Sequence, residues 1–276
     1  MNYRIVADSS ANLLTFGSTP FASVPLKIVT DEKEYIDDTA LDTAAMLADL
    51  AAYKGRSGTS CPNVGEWVEA FGDAEYVFAV AITSNLSGCY NACVQAKAVY
   101  EEAHPGRRVC CLDSLSVGPE MALIVEKLKE LIDEGKDFDQ IEAEVRAYMK
   151  RTHLLFMLES VDNLAKNGRV NPLVAKAVGF LGIRIVGKAS DVGTLQQLHK
   201  CRGEKKGLEK IIEEMKAHGF KGGKVRIAHC FNDSAAKALL EQVKVHFSNI
   251  ESTIIPMTGL CSFYAENGSV MIGFEG

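Results

Sequence analysis

An uninterrupted run of strand-forming apolar residues, Tyr76-Val77-Phe78-Ala79-Val80-Ala81-Ile82, constrains this chain more than any other stretch. Successive side chains of a strand face opposite ways, so a run without alternation has to be covered on both faces. That predicts a central parallel strand. From Asn85 onward the pattern turns helical, with Cys89, Cys93, Ala96 and Tyr100 at three- and four-residue spacing. Between the two lies a small polar turn, Thr83-Ser84-Asn85-Leu86-Ser87-Gly88. It sits at the carboxyl end of a strand and the amino end of a helix, where open α/β sheets bind ligands.

The first N–H groups of a helix have no partner within it and carry about half a positive charge, so a carboxylate or phosphate fits at such a turn. The hydroxyls of Ser84 and Ser87 can donate to an anion, and Gly88 allows close approach to the backbone. The same serines can equally serve as N-caps that accept from the helix's own amides. The turn alone leaves both roles open.

Around this unit the chain alternates strand and helix. Tyr3 to Asp8 reads as a strand ending in the polar cluster Asp8-Ser9-Ser10, and Phe21 to Val29 as a second strand. A helix follows from Ala44 to Tyr53, opened by Asp42-Thr43. Thr59-Ser60-Cys61-Pro62-Asn63 forms a second polar turn before a helix over Val64 to Phe71. Pro62 holds Cys61 extended and keeps Thr59 and Ser60 out of that helix. Two hydroxyl-rich turns thus bracket one helix and can open on one crevice. Val109 to Asp113 is a strand, Pro119 to about Gly135 an amphipathic helix with Leu123, Val125, Leu128, Leu131 and Ile132 on its apolar side, and Asp137 to Lys150 another helix.

The second half opens with a strand from His153 to Leu158. Asn167-Gly168 is a left-handed helix stop that fixes Arg169 just beyond it. Helix Pro172 to Leu181, strand Ile183 to Val186, a hairpin around Asp191-Val192-Gly193, helix Glu204 to Ala217, strand Lys224 to His229, helix Ser234 to Phe247 and strands Ile250 to Ile255 and Ser269 to Phe274 follow. The fold class is therefore α/β in two domains, residues 1–151 with a mainly parallel sheet covered by helices and residues 152–276 with a core of their own. The ligand site is expected at strand carboxyl ends near the domain interface.

Composition narrows the partners. With 276 residues, a net charge of −6 and basic residues not gathered into long runs, nucleic acid is disfavoured. No apolar run approaches the roughly 20 residues needed to span a bilayer, and the amino terminus reads as a strand rather than an export signal, so a cytoplasmic protein without an integral membrane segment is expected. The eight cysteines contain no Cys-x-x-Cys pair and read as reduced and mostly buried. No P-loop and no His/Asp/Glu set with metal spacing occurs, so neither a metal nor a cofactor is expected. Cys61, as a nucleophile, lacks an assignable base, and His229 at a strand end is the best base candidate, though it reads better as a core histidine.

Four stretches, in order along the chain, resemble motifs of the DegV family of fatty-acid-binding proteins. They are Asp8-Ser9-Ser10 for Asp-Ser-Thr, Thr59-Ser60-Cys61-Pro62 for Thr-Ser-Gln-Pro, Ser84-Asn85-Leu86-Ser87-Gly88-Cys89-Tyr90 for Ser-x-x-Leu-Ser-Gly-Thr-Tyr, and Asn167-Gly168-Arg169-Val170 for Gly-Gly-Arg-Ile. The resemblance covers essentially the whole chain. It implies a carrier, itself not an enzyme, that buries the tail of one long-chain fatty acid such as palmitate, stearate or oleate in an apolar tunnel and presents it to a separate fatty acid kinase subunit. The implied head-group contacts are Thr59, Ser60, Ser84, Asn85, Ser87 and Gly88 of the two turns, with Arg169 and Thr258.

The chain departs from the family pattern at three places. Met257-Thr258-Gly259-Leu260-Cys261 stands where the family reads His-Thr-Gly-Pro-Gly, and a thioether can neither donate a hydrogen bond nor titrate as imidazole does. Cys61 and Cys89 replace a glutamine and a threonine. An enzyme acting on a small phosphorylated or carboxylated substrate at the same turns is the alternative reading.

Overall fold

The computed structural model of the protein describes residues 2–17, 19–171 and 182–276, so the helix expected over 172–181 lies outside the described residues. Four parallel strands form the first sheet, in the order β2 (Phe21–Val24), β1 (Tyr3–Asp8), β6 (Tyr76–Ala81), β7 (Arg108–Asp113). The apolar run is indeed an inner strand, and Val77 to Ala81 are wholly buried. Helices α2 (Val64–Phe71), α3 (Cys89–Ala103), α4 (Pro119–Asp133) and α5 (Phe138–Met149) pack around this core.

The expected single strand over Phe21 to Val29 is two strands. Pro25, which has no N–H to give a ladder, interrupts it, and β3 (Lys27–Thr30) turns away into a small antiparallel sheet between β4 (Glu34–Ile36) and β5 (Ser57–Ser60). Thr59 and Ser60 consequently stand on a strand and not in a turn, with Thr59 paired to Ile28 and Ser60 to Lys27. Helix α1 (Thr43–Ala52) covers this sheet, capped by the Asp42 carboxylate, which accepts from Ala45 N–H at 3.0 Å.

A six-stranded sheet holds the second core, in the order β10 (Leu195–Arg202), β9 (Ile183–Ala189), β8 (Thr152–Leu158), β13 (Val270–Glu275), β11 (Gly223–His229), β12 (Ile250–Pro256). Only the β11–β12 pair is parallel. Helices α7 (Glu204–Ala217) and α8 (Asp233–His246) pack on one face of it. The hairpin expected around Asp191-Val192-Gly193 joins β9 to β10, and a short helix α9 (Gly259–Ala265) between β12 and β13, absent from the sequence reading, completes this half.

Helix α4 is not amphipathic in its first two turns, since every residue from Pro119 to Val125 is buried. It lies against β1 and β6 of the parallel sheet and against β8, β11 and β13 of the other. A helix covered on all sides must be apolar all round, and here the sequence Met121-Ala122-Leu123-Ile124-Val125 is. One ionisable group, Glu120, lies inside this layer, and ion pairs begin where α4 leaves it. Arg226 of β11 forms a two-bonded pair with Glu126, both contacts at 2.6 Å.

Candidate functional site

Beyond the end of β6, the polar turn is clamped from both neighbouring strands. Ile82 N–H donates to the buried Asp8 carboxylate of β1 at 2.7 Å, and Ser84 N–H donates to Asp113 of β7 at 3.1 Å. Asp8 also accepts from the N–H and hydroxyl of Ser10, and burial pushes its carboxyl up to about 6. The hairpin between β9 and β10 closes on the turn from the other half of the chain, where Asn85 Nδ2 donates to Val192 O at 2.6 Å. Gly193, at φ +73°, is required there twice over: a Cβ would lie 2.1 Å from Thr83 Oγ1 and would strain a left-handed backbone.

An apolar cavity, partly open to solvent, lies behind this turn. Leu26, Ile82, Leu86 and Val117 line it from the parallel-sheet side, Phe156, Leu158, Leu164, Leu195 and Met271 from the other, and Leu260, Cys261, Tyr264 and Ala265 of α9 close it. The polar side chains in the lining are Thr59, Ser87, Arg169 and Tyr264. They belong together: Thr59 Oγ1 and the Tyr264 hydroxyl are 2.7 Å apart, and the Arg169 guanidinium lies 5.8 Å from the Tyr264 ring centre. Arg169 is fixed by two backbone carbonyls, donating to Asn167 O at 2.6 Å and Leu86 O at 3.3 Å. Among the described residues no carboxylate pairs with it. Gly168, at φ +74°, ends the short helix α6 (Asp162–Lys166) and sets that place, as the Asn167-Gly168 signal predicts.

Ser87 accepts from Cys89 N–H at 3.3 Å and donates to Cys89 Sγ at 3.2 Å. No side chain caps α3, which starts after Gly88, so the next amides of its first turn remain available to an anion. The arrangement is an apolar chamber with hydroxyls, one cation and a helix start gathered near one wall.

The family model described as "Uncharacterised protein, DegV family" matches residues 2–276. The chain belongs to the DegV family. A DegV domain-containing protein of Streptococcus pneumoniae is 40% identical over 279 residues, covering 100% of this chain and 99% of its own. Among solved structures, a DegV family protein from Eubacterium eligens loaded with heptadecanoic acid superposes with a TM-score of 0.97 at 43% identity, covering 99% of both chains. The Streptococcus pneumoniae Fatty Acid Kinase (Fak) B3 protein loaded with linoleic acid gives a TM-score of 0.98 at 40% identity, covering 100% of this chain and 99% of the other.

In this DegV chain the site residues expected from sequence divide into three groups. Thr59, Ser87 and Arg169 line the cavity. Ser60, Ser84, Asn85 and Gly88 are exposed around it, and Asn85 spends its side chain on the hairpin. Thr258 lines a separate cavity with Met257, His229 and Asp37. There its hydroxyl contacts Ser9 O, Asn12 Oδ1 and Asp37 Oδ2 at 3.1–3.3 Å. Thr258 directly precedes α9, whose residues line the first cavity. His229 is half-buried, and burial lowers its imidazole below the ordinary range, as suits a packed histidine.

Sequence reasoning missed Tyr264 and Asp37. Tyr264 was legible as one of the apolar residues spaced Leu260, Cys261, Tyr264, Ala265, the pattern of a helix facing a core. Asp37 is buried and accepts from Gly259 N–H at 2.6 Å and Leu260 N–H at 3.0 Å, which caps α9 from across the fold. Burial raises its carboxyl above the ordinary range while these donors oppose the shift. Its position carries no local signal. Cys93 lies against Cys111 at 3.2 Å rather than beside a metal set, and no group of potential metal ligands occurs among the described residues.

Proposed function

We propose that the protein is a carrier that binds one long-chain fatty acid, such as palmitate, stearate or oleate, and presents it to a separate fatty acid kinase. The observation that carries this reading is the pairing of an apolar cavity with one cation, Arg169, which among the described residues is held by backbone carbonyls and the Tyr264 ring with no carboxylate paired to it. An acyl tail gains about 0.8 kcal/mol for each CH₂ it buries, so the cavity supplies affinity. A carboxylate entering an apolar space needs charge and donors, and Thr59, Ser87, Arg169 and the start of α3 provide both. Ser60, Ser84, Asn85 and Gly88 shape the mouth. The relatives loaded with heptadecanoic and linoleic acids support the same ligand class.

The carrier is not itself an enzyme in this reading: Thr59, Ser87, Arg169 and the start of α3 bind and orient the head group, and the separate kinase acts on it. It consists of two domains, residues 1–151 and 152–276, with the ligand between them. It works in the cytoplasm, in keeping with eight free cysteines and with the lack, among the described residues, of a helix long and apolar enough to cross a membrane.

Native mass spectrometry of the purified protein, followed by denaturing extraction, tests the reading. One fatty acid per chain is expected, and the double variant Thr59→Ala, Ser87→Ala loses it. No bound lipid, together with no thermal stabilisation by added oleate, would overturn the carrier assignment.

A further inference from the structure

Two cysteines meet beside the cavity mouth. Cys61 follows Thr59 and Ser60 directly after β5, and Cys89 opens α3 two residues after Ser87. The Cys61 sulfur lies 3.2 Å from the point where a Cβ on Gly88 would sit, and Gly88 directly precedes Cys89. Cys61 is exposed and Cys89 buried. An exposed sulfur backed by a buried one is the arrangement of an attacking and a resolving thiol. Contact with Cys89 lowers the Cys61 thiol below its ordinary range, whereas the same contact and burial raise Cys89, so the negative charge settles on the exposed sulfur. These are also the two positions at which this chain departs from the glutamine and threonine of the family motifs, and the fold brings them into contact.

We propose that Cys61 and Cys89 form a peroxide-sensitive dithiol that closes to a disulfide across the mouth of the cavity. The Cys61 thiolate attacks the O–O bond of hydrogen peroxide and becomes a sulfenic acid, while the departing hydroxide takes up a proton and leaves as water. Cys89 then loses its proton, its sulfur attacks the Cys61 sulfur, and the sulfenic oxygen leaves as a second water. Two thiols and one peroxide thus give one disulfide and two waters. The bond would staple β5 to the start of α3, holding Thr59 and Ser87 at a fixed separation. Consequences for ligand exchange rest on the fatty-acid reading of the cavity, whereas the dithiol chemistry does not. Cys93 and Cys111 provide an internal control, because their sulfurs are 3.2 Å apart but both residues are buried.

The full chain, purified reduced, is treated with hydrogen peroxide, blocked with N-ethylmaleimide and mapped by peptide mass spectrometry. A Cys61–Cys89 linked peptide is expected while Cys93 and Cys111 remain thiols, and Cys61→Ser abolishes the link without altering the circular dichroism. In Cys89→Ala, dimedone traps a sulfenic acid on Cys61 that the unaltered chain passes through. Sulfinic acid at Cys61 with Cys89 unlinked, or a link confined to Cys93 and Cys111, would overturn the proposal. Oleate release from the oxidised protein is expected to slow by about tenfold, equivalent to about 1.4 kcal/mol, and to recover on adding dithiothreitol. An unchanged rate with the disulfide formed refutes the gate, and a reduced protein that takes up no oleate while still forming the link refutes the carrier reading alone.

Discussion

Glu120 opens α4 inside the layer between the two sheets, 6% exposed, with Ser116 donating to Oε2 at 2.5 Å and Thr152 of β8 donating to Oε1 at 2.8 Å. No cation is among these partners, so burial dominates over the two hydrogen bonds and pushes the carboxyl from its ordinary 4.5 up to about 7. The folded state therefore keeps a proton that the unfolded chain releases. Stability from this group is fully present below about pH 4.5 and is lost as pH rises through about 7. A displacement of about 2.5 pH units corresponds to about 3 kcal/mol. Glu120→Gln carries no such loss, so the variant gains about 3 kcal/mol relative to the unaltered chain between about pH 4.5 and about pH 8. Urea unfolding of the delipidated proteins measures this, followed by fluorescence of Trp67, the single tryptophan and wholly buried. Asp8 titrates in both proteins and cancels in the difference. A stability difference independent of pH would refute the argument and place water at Glu120.

Other perturbations follow from the same geometry. Asp37→Ala leaves the amides of Gly259 and Leu260 without their acceptor and is expected to destabilise by roughly 2–4 kcal/mol, seen as a lowered urea midpoint and faster amide exchange in α9. Tyr264→Phe removes the hydroxyl beside Thr59 and should weaken fatty-acid binding by about 1 kcal/mol, or about fivefold, by calorimetry. Gly193→Ala places a methyl 2.1 Å from Thr83 Oγ1 at positive φ; a cost of about 1–3 kcal/mol and faster exchange in the 83–88 turn are expected. Lengthening the ligand by one CH₂ should tighten binding by about 0.8 kcal/mol until the cavity is full, and a flat series would argue against tail burial.

What could be read beforehand depended on how local each signal is. The run through β6 and the turn after it were legible because a strand covered on both faces admits no polar residue, and Asn167-Gly168 placed Arg169 because a left-handed stop is encoded by two residues. β5 was invisible: Ser57-Gly58-Thr59-Ser60 has no apolar alternation, and its strand character comes from pairing with β3 some thirty residues earlier. α9 is seven residues long, and its cap is supplied by Asp37, 222 positions away from Gly259. Thr258 was assigned by motif likeness, and the same contacts that cap α9 draw it into another cavity. The all-round burial of α4 could be suspected only from five consecutive apolar residues, because the second sheet that covers it is formed by strands far along the chain.

Both α9 and β13 are synthesised after every other element described, yet β13 sits between β8 and β11 within its sheet, and α9 closes the cavity. On an emerging chain the parallel sheet has all four strands by Asp113, while β8 presents an unpaired edge until residues 270–275 arrive. The chamber has no wall on the α9 side during that interval. The cavity is therefore complete only once α9 and β13 have been made, and until then the waiting edge of β8 is the surface a chaperone would have to shield during translation.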